Sequence, residues 1–272
     1  MIKKSSPLYN NIQKSSSDFY YCIEFENKKN KLICYDSTTK LMKKSYDLPD
    51  CLITRFKVIR KNTIFQNDLI IVTGSSFILI LDENLEKEIW KLDSLSIKFK
   101  HIINNFYVFN AIGITKNLLI FGTLTSELFA LKLYDDYDSK TEKNTINLLE
   151  NPIFRMIHKF DFKRTSITSI ISLEEFKELE DLQINNQNEI IISFSNSKIL
   201  KLLISEKPQK IKIISSFTFK QSFSSSTILK ILKFTGELVL ISGNINGTIS
   251  LFSYNELKPL FQFTLFLSLI HI

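Results

Sequence analysis

Four segments of the chain repeat one layout: an apolar run of four or five residues, a small turn, and a second apolar run. They lie at Leu69–Leu81, Leu118–Leu131, Ile190–Leu202 and Leu238–Phe252. Aligned at the turn on Gly74, Gly122, Phe194 and Gly243, they stand 48, 72 and 49 residues apart. Phe19–Phe25, turning through Glu26–Lys31 into Leu32–Tyr35, makes a fifth copy. Each run is too short for a typical helix and is bounded by Gly, Asn or Ser, so each is predicted to be a strand. The first strand of each pair is continuously apolar, which suits burial on both faces. The second alternates in part at Lys198–Leu202 and Thr248–Phe252, which predicts a half-exposed neighbour. Gly74, Gly122, Gly243, Asn246 and Gly247 are the expected turn positions. Asn246-Gly-Thr248 also matches a glycosylation sequon, but between two strand-like runs its Asn-Gly reads as turn chemistry.

Further candidate strands flank the hairpins, at Ile167–Ile171 and Ile228–Leu232 upstream and Lys212–Phe219 downstream. Four strands recurring every 40–50 residues or so is the pattern of propeller blades. The segment Ile241-Ser-Gly-Asn-Ile-Asn-Gly-Thr-Ile-Ser-Leu-Phe252 resembles the WD-repeat β-propellers, which place small-Gly-x-x-Asp-Gly-x-Ile-x-Leu-Trp there. Asn246 replaces the usual turn Asp, Phe252 replaces Trp, and no Gly-His dipeptide opens a unit. The expected fold is therefore all-β, a β-propeller of WD-repeat type with four to five recognisable blades and an incomplete ring. Residues 1–18 are expected to form an N-terminal extension and 19–272 the blades, with an acidic insertion around 134–189. The apolar run Leu260–Ile272 predicts a strand entering a unit that the chain does not complete.

Composition supports strands: 40 Ile and 23 Phe stand against 2 Ala, the best helix former. The formal net charge of +7 is uneven, at +6 over 1–133, −5 over 134–189 and +6 over 190–272. Within the acidic stretch, Leu173, Phe176, Leu179 and Leu182 recur at spacing three, which predicts a short surface helix. Basic residues cluster at Arg55, Lys57, Arg60 and Lys61, and again at Lys159, Lys163 and Arg164. Two readings stand: solvated strand faces, or a positive surface that tracks RNA phosphates. No aromatic RNA-recognition signature accompanies the clusters.

Motifs for chemistry are missing. The sequence holds no phosphate-binding glycine loop, no nucleophile elbow and no paired histidines at metal-ligand spacing. No cofactor, metal or catalytic residue is expected. Cys22, Cys34 and Cys51, an odd count without a Cys-x-x-Cys pair, read as free thiols. The first residues lack the apolar core of a secretory signal, and no run reaches 18 apolar residues. The expectation is a cytoplasmic or nuclear protein without a membrane span.

The expected function is that of a non-catalytic scaffold. The succession Ile190–Ile204, Ile211–Phe223, Thr227–Leu232 and Leu238–Tyr254 resembles the late blades of one WD-repeat family. Its members assist a methyltransferase in 2′-O-methylation of the tRNA anticodon loop. That resemblance implies a methyltransferase partner and tRNA contact. The alternative is a protein-only adaptor in a ubiquitin-ligase, trafficking or ribosome-assembly complex.

Overall fold

The computed structural model describes residues 12–15, 18–26, 29–61, 67–93, 105–115, 118–134, 148–162, 164–175, 188–206, 209–219, 226–244 and 247–264. They form two compact units, Met1–Phe109 and Asn110–Ile272. The first unit contains two four-stranded sheets. One runs β1 (Gln13–Lys14), β2 (Phe19–Glu26), β3 (Lys29–Asp36), β4 (Met42–Asp47). The other runs β5 (Ile53–Ile59), β6 (Leu69–Gly74), β7 (Phe77–Asp82), β8 (Glu88–Leu92). Every neighbour pair is antiparallel and consecutive in sequence.

The second unit holds three more sheets of the same kind. The third sheet is β9 (Phe109–Ile114), which opens on the boundary residue, then β10 (Leu119–Thr123), β11 (Glu127–Tyr134) and β12 (Leu148–Lys159). The fourth is β13 (Ile167–Ser172), β14 (Glu189–Phe194), β15 (Lys198–Glu206) and β16 (Gln209–Thr218). The fifth is β17 (Ser226–Phe234), β18 (Glu237–Asn244), β19 (Thr248–Ser253) and β20 (Pro259–Thr264). The five sheets are the blades that the repeated layout predicts.

Burial grades across each blade. The second strands β6 and β14 are buried at every position, as their unbroken apolar runs require, whereas the fourth strands β4 and β20 are largely exposed. In the first unit Tyr21, Leu32 and Cys34 pack with Phe56, Val72 and Leu79 into one core. In the second, Ile191 and Ile199 pack with Leu229, Ile231, Leu240 and Phe252, a core shared by the fourth and fifth blades.

The turn assignment needs correction. Gly74, Gly122 and Gly243 are strand residues without positive φ, and Asn246 lies outside the described residues. In the last four blades the left-handed turn position before the third strand is held by Ser76, Ser126, Ser197 and Gly247, at φ of 49°, 65°, 67° and 77°. Among the described members of the expected set, Gly247 keeps its turn role, and its N–H donates to Asn244 O at 3.1 Å. Crowding explains Gly74 and Gly122. A Cβ on Gly74 would lie 2.2 Å from Leu52 O, and one on Gly122 would lie 2.5 Å from Ile167 Cγ2.

Three segmental expectations also differ. Gln13–Lys14, placed in the extension, pairs with β2 as the first strand of its blade. The Gln13 amide also donates to Phe56 O at 3.1 Å and accepts from Val58 N–H at 2.8 Å, which gives the edge of β5 a ladder-like pair of bonds. The acidic stretch 134–189 supplies β12 and β13, so it is blade as well as insertion. Of the predicted surface helix, Leu173–Glu175 form a single 3-10 turn, and Phe176–Leu182 lie outside the described residues.

Candidate interaction surfaces

The first basic cluster sits at the end of β5. Arg55 and Lys57 are half-buried on one face of that strand, and burial pulls the Arg55 guanidinium below its ordinary value. Arg60 and Lys61 follow the strand and are exposed; the Lys61 N–H donates to the buried carboxylate of Asp68 at 2.8 Å. Thus two of the four cations reach fully into solvent.

The second cluster is split by an ion pair. Lys159 Nζ lies 3.1 Å from Glu127 Oε1, and the Glu127 side chain is only 3% exposed. Burial by itself pushes the Glu127 carboxyl up. Hydrogen bonds from Thr125 and Thr123, with the Lys159 ammonium, outweigh that and hold it below its ordinary value. Thr123 Oγ1 donates to Glu127 Oε2 at 2.7 Å and accepts the Glu127 backbone N–H at 3.0 Å. Arg164 is exposed at a turn with φ of 51°, and Lys163 lies outside the described residues. Arg55 to Lys61 fall in the first unit, Lys159 and Arg164 in the second.

Sequence reading missed the most deeply placed charges. Lys201, on a strand expected to be half-exposed, is 4% exposed and lies 2.8 Å from Glu189 Oε2, itself 5% exposed. Tyr254 completes the group: its hydroxyl donates to Glu189 Oε2 at 3.4 Å, and Lys201 Nζ sits 4.1 Å from its ring centroid. Burial first, then the Glu189 charge, raises the Tyr254 hydroxyl well above its ordinary value. The register explains the meeting. Lys201 pairs with Ile191 across β14 and β15, and Glu189 projects two residues away on the same face. The set links the fourth blade to Tyr254 of the fifth.

Short side-chain hydrogen bonds from hydroxyl groups recur in the second unit. Thr168 and Ser193 share a bond of 2.9 Å, Ser126 donates to Thr165 O, and Ser242 donates to Asn244 Oδ1 at 3.2 Å. The three thiols are free; Cys22 and Cys34 are buried and Cys51 half-buried. Burial, followed by the Glu24 carboxylate, pushes the Cys22 thiol up to about 12. His158 packs edge-on to Phe160 at 4.5 Å, and burial lowers its pKa. Among the described residues no group of three or more His, Cys, Asp or Glu is placed to hold a metal ion.

Apolar side chains on the fourth strands make a different surface. Ile153 and Met156 of β12 are 50% and 47% exposed, beside the exposed Arg155. Ile213 and Ile214 of β16 are 53% and 40% exposed, beside Lys212. On β20 all six residues are exposed.

Consecutive four-stranded antiparallel meanders, with buried second strands such as β6 and β14 and exposed fourth strands such as β4 and β20, are the blades of a β-propeller fold. Solved structures agree on the fold. The chain is similar to the computationally designed Ika8 protein, at 12% identity and a TM-score of 0.55, with 93% of this chain and 60% of that one covered. It is also similar to the β-propeller domain of Cps50 (Swd1) from Myceliophteria thermophila, at 11% identity and a TM-score of 0.51, with coverages of 94% and 86%. The chain thus spans about 60% of the length of the designed protein. No protein-family model matches the chain, and no curated protein matches it by sequence.

Proposed function

We propose that the chain is a non-catalytic scaffold whose fourth-strand surfaces bind another protein. The observation that carries this reading is the mixed apolar and cationic display on β12 and β16: Ile153, Arg155 and Met156, then Lys212, Ile213 and Ile214. Exposed aliphatic side chains with a methionine and an arginine are the chemistry of protein-binding surfaces. The interior charges serve internal pairs, as in Glu189–Lys201 and Glu127–Lys159. At finer resolution, the partner is a tRNA methyltransferase and the scaffold helps it modify the anticodon loop, in the cytoplasm or nucleus. The late-blade resemblance supports this, together with the exposed cations Arg60, Lys61 and Arg164, whose charge suits phosphates.

Two measurements test the levels separately. Ile153→Glu with Met156→Glu should abolish co-purification of the methyltransferase while leaving the thermal transition in place. Unchanged recovery would remove β12 as the docking surface. For the RNA arm, tRNA binding should weaken with salt at a log–log slope of about −2 to −3 if three cations each displace a counterion. No tRNA binding at low salt overturns the methyltransferase reading and leaves the protein-only adaptor.

A further inference from the structure

The fourth and fifth blades can be superposed residue by residue through their turns. Ser193 pairs with Ile199 in the fourth blade, and Gly243 pairs with Ile249 in the fifth, each just beyond its left-handed turn residue. Ile191, Ile199 and Phe217 therefore correspond to Ile241, Ile249 and Phe263, and Lys201 corresponds to Leu251. In the fourth blade this face is covered by the fifth: Ile191 and Ile199 are 0% and 1% exposed. On the fifth blade the same face is open. Phe261 and Phe263 are 59% and 37% exposed, Leu232 is 42% exposed, and Ile241, Ile249 and Leu251 are half-buried. Thus, among the described residues, a face with the chemistry of a blade–blade contact stands partly exposed.

Its outer strand lacks the usual protection. β4 carries Lys43 and Lys44, β8 Glu88 and Lys91, β12 Arg155 and Lys159, and β16 Lys210 and Lys212. β20 carries no charged residue at all. Edge strands without charge are templates for pairing, which proteins ordinarily block, so an occupant belongs here.

The charges on the face say which occupant. Strand alternation puts Lys230 and Glu237 on this same side, with the Leu232–Val239 pair midway between them. Both are exposed. Lys230 and the Phe234–Glu237 pair lie four positions apart along the sheet, about 13 Å. A twofold axis over Leu232 and Val239 that reverses the strand direction sets Lys230 opposite the Glu237 of a second copy, and Glu237 opposite its Lys230. Such self-complementarity is what an isologous contact requires. We propose that this open face of the fifth blade is the contact between two copies of the chain in a twofold dimer. Four strands about 4.8 Å apart and about 20 Å long span roughly 400 Å² in projection on each copy, below the usual size of stable interfaces and in the class of weak ones, so the dimer should dissociate in the micromolar range.

Sedimentation velocity on the full chain from about 1 to about 100 µM tests this. The expected result is a monomer–dimer equilibrium. Lys230→Glu alone and Glu237→Lys alone should each weaken the dimer at least about tenfold, because both contacts become like-charged. An equimolar mixture of the two variants should restore a one-to-one dimer. Phe261→Asp should abolish association, with an unchanged far-ultraviolet spectrum showing that the blades persist. A chain that stays monomeric at the top concentration overturns the proposal and leaves the face to another segment or another protein. A dimer indifferent to all three substitutions, or a mixture that fails to re-associate, overturns it equally.

Discussion

Replacing Lys201 by methionine deletes one charge from a site with almost no access to water. Lys201 and Glu189 are 4% and 5% exposed and 2.8 Å apart, so the remaining carboxylate keeps its desolvation cost and loses its counter-charge. Breaking such a pair costs about 3–5 kcal/mol, a large share of the roughly 5–15 kcal/mol that holds an ordinary domain together. Tyr254 softens the loss little, because its bond to Glu189 is long at 3.4 Å. At a factor of ten per about 1.4 kcal/mol, amides of β14 and β15 should exchange hydrogen roughly 10²- to 10⁴-fold faster. Adding Glu189→Leu to Lys201→Met should recover most of the loss, since an apolar pair of similar volume is often neutral or stabilising. Hydrogen exchange read by mass spectrometry on peptides covering 189–206 checks both. If Lys201→Met alone leaves exchange unchanged, or if the double variant is worse than the single, the account of the buried pair is wrong.

Other consequences follow from the same packing. Gly74→Ala should destabilise by about 1–3 kcal/mol or more, since its Cβ would meet the Leu52 carbonyl at 2.2 Å, and denaturant midpoints should show it. Gly236→Ala, at φ of 86° with open space around it, should cost only about 1 kcal/mol, so the reverse order would refute the crowding argument. The carboxyl of Glu127 is held below its ordinary value, so its contribution is full above the unfolded carboxylate pKa and is lost as pH falls through the folded one. Thr123→Val should move that loss to higher pH, read by carbon NMR titration of the carboxyl. Under native conditions an alkylating reagent should reach the half-buried Cys51 before the buried Cys22 and Cys34, since burial raises all three thiols and access decides the order; faster labelling of Cys22 would contradict the packing of β2.

The strands were the legible part, for a physical reason. Leu69–Thr73 and Ile190–Ser193 are buried on both faces, so their unbroken apolar runs survive as a pattern in one dimension. Fourth strands leave a weaker trace. β12 lies in an acidic stretch and interleaves Arg155 and His158 with Ile153 and Ile157, so composition hides it in an apparent insertion. Counted from the left-handed turn residues, the hairpin alignment slipped by two positions at Gly74, which looks like a turn glycine, and by one at Phe194. The small size of Gly74 answers Leu52 O, and the turn itself belongs to Ser76. The Glu189–Lys201 pair was illegible for a different reason. Nothing in a separation of twelve residues couples two charges until the register of β14 and β15 is known.

That pair also changes what the net charge means. The surplus over residues 190–272 suggested a positive surface, yet Lys201 is neutralised inside the protein by Glu189. Lys198 is drawn over the Phe162 ring at 4.4 Å, and in the preceding stretch Lys159 is matched by Glu127 at 3.1 Å. The cations left fully in solvent, such as Lys212 and Lys230, sit among exposed aliphatic and aromatic side chains. A field from scattered lysines falls off within about 8 Å at physiological salt, whereas an apolar patch keeps its attraction at any ionic strength. Recognition by β12, β16 and the fifth-blade face should therefore depend first on shape and apolar area. The lysines then act as discriminators among partners, setting which acidic group is accepted opposite each patch.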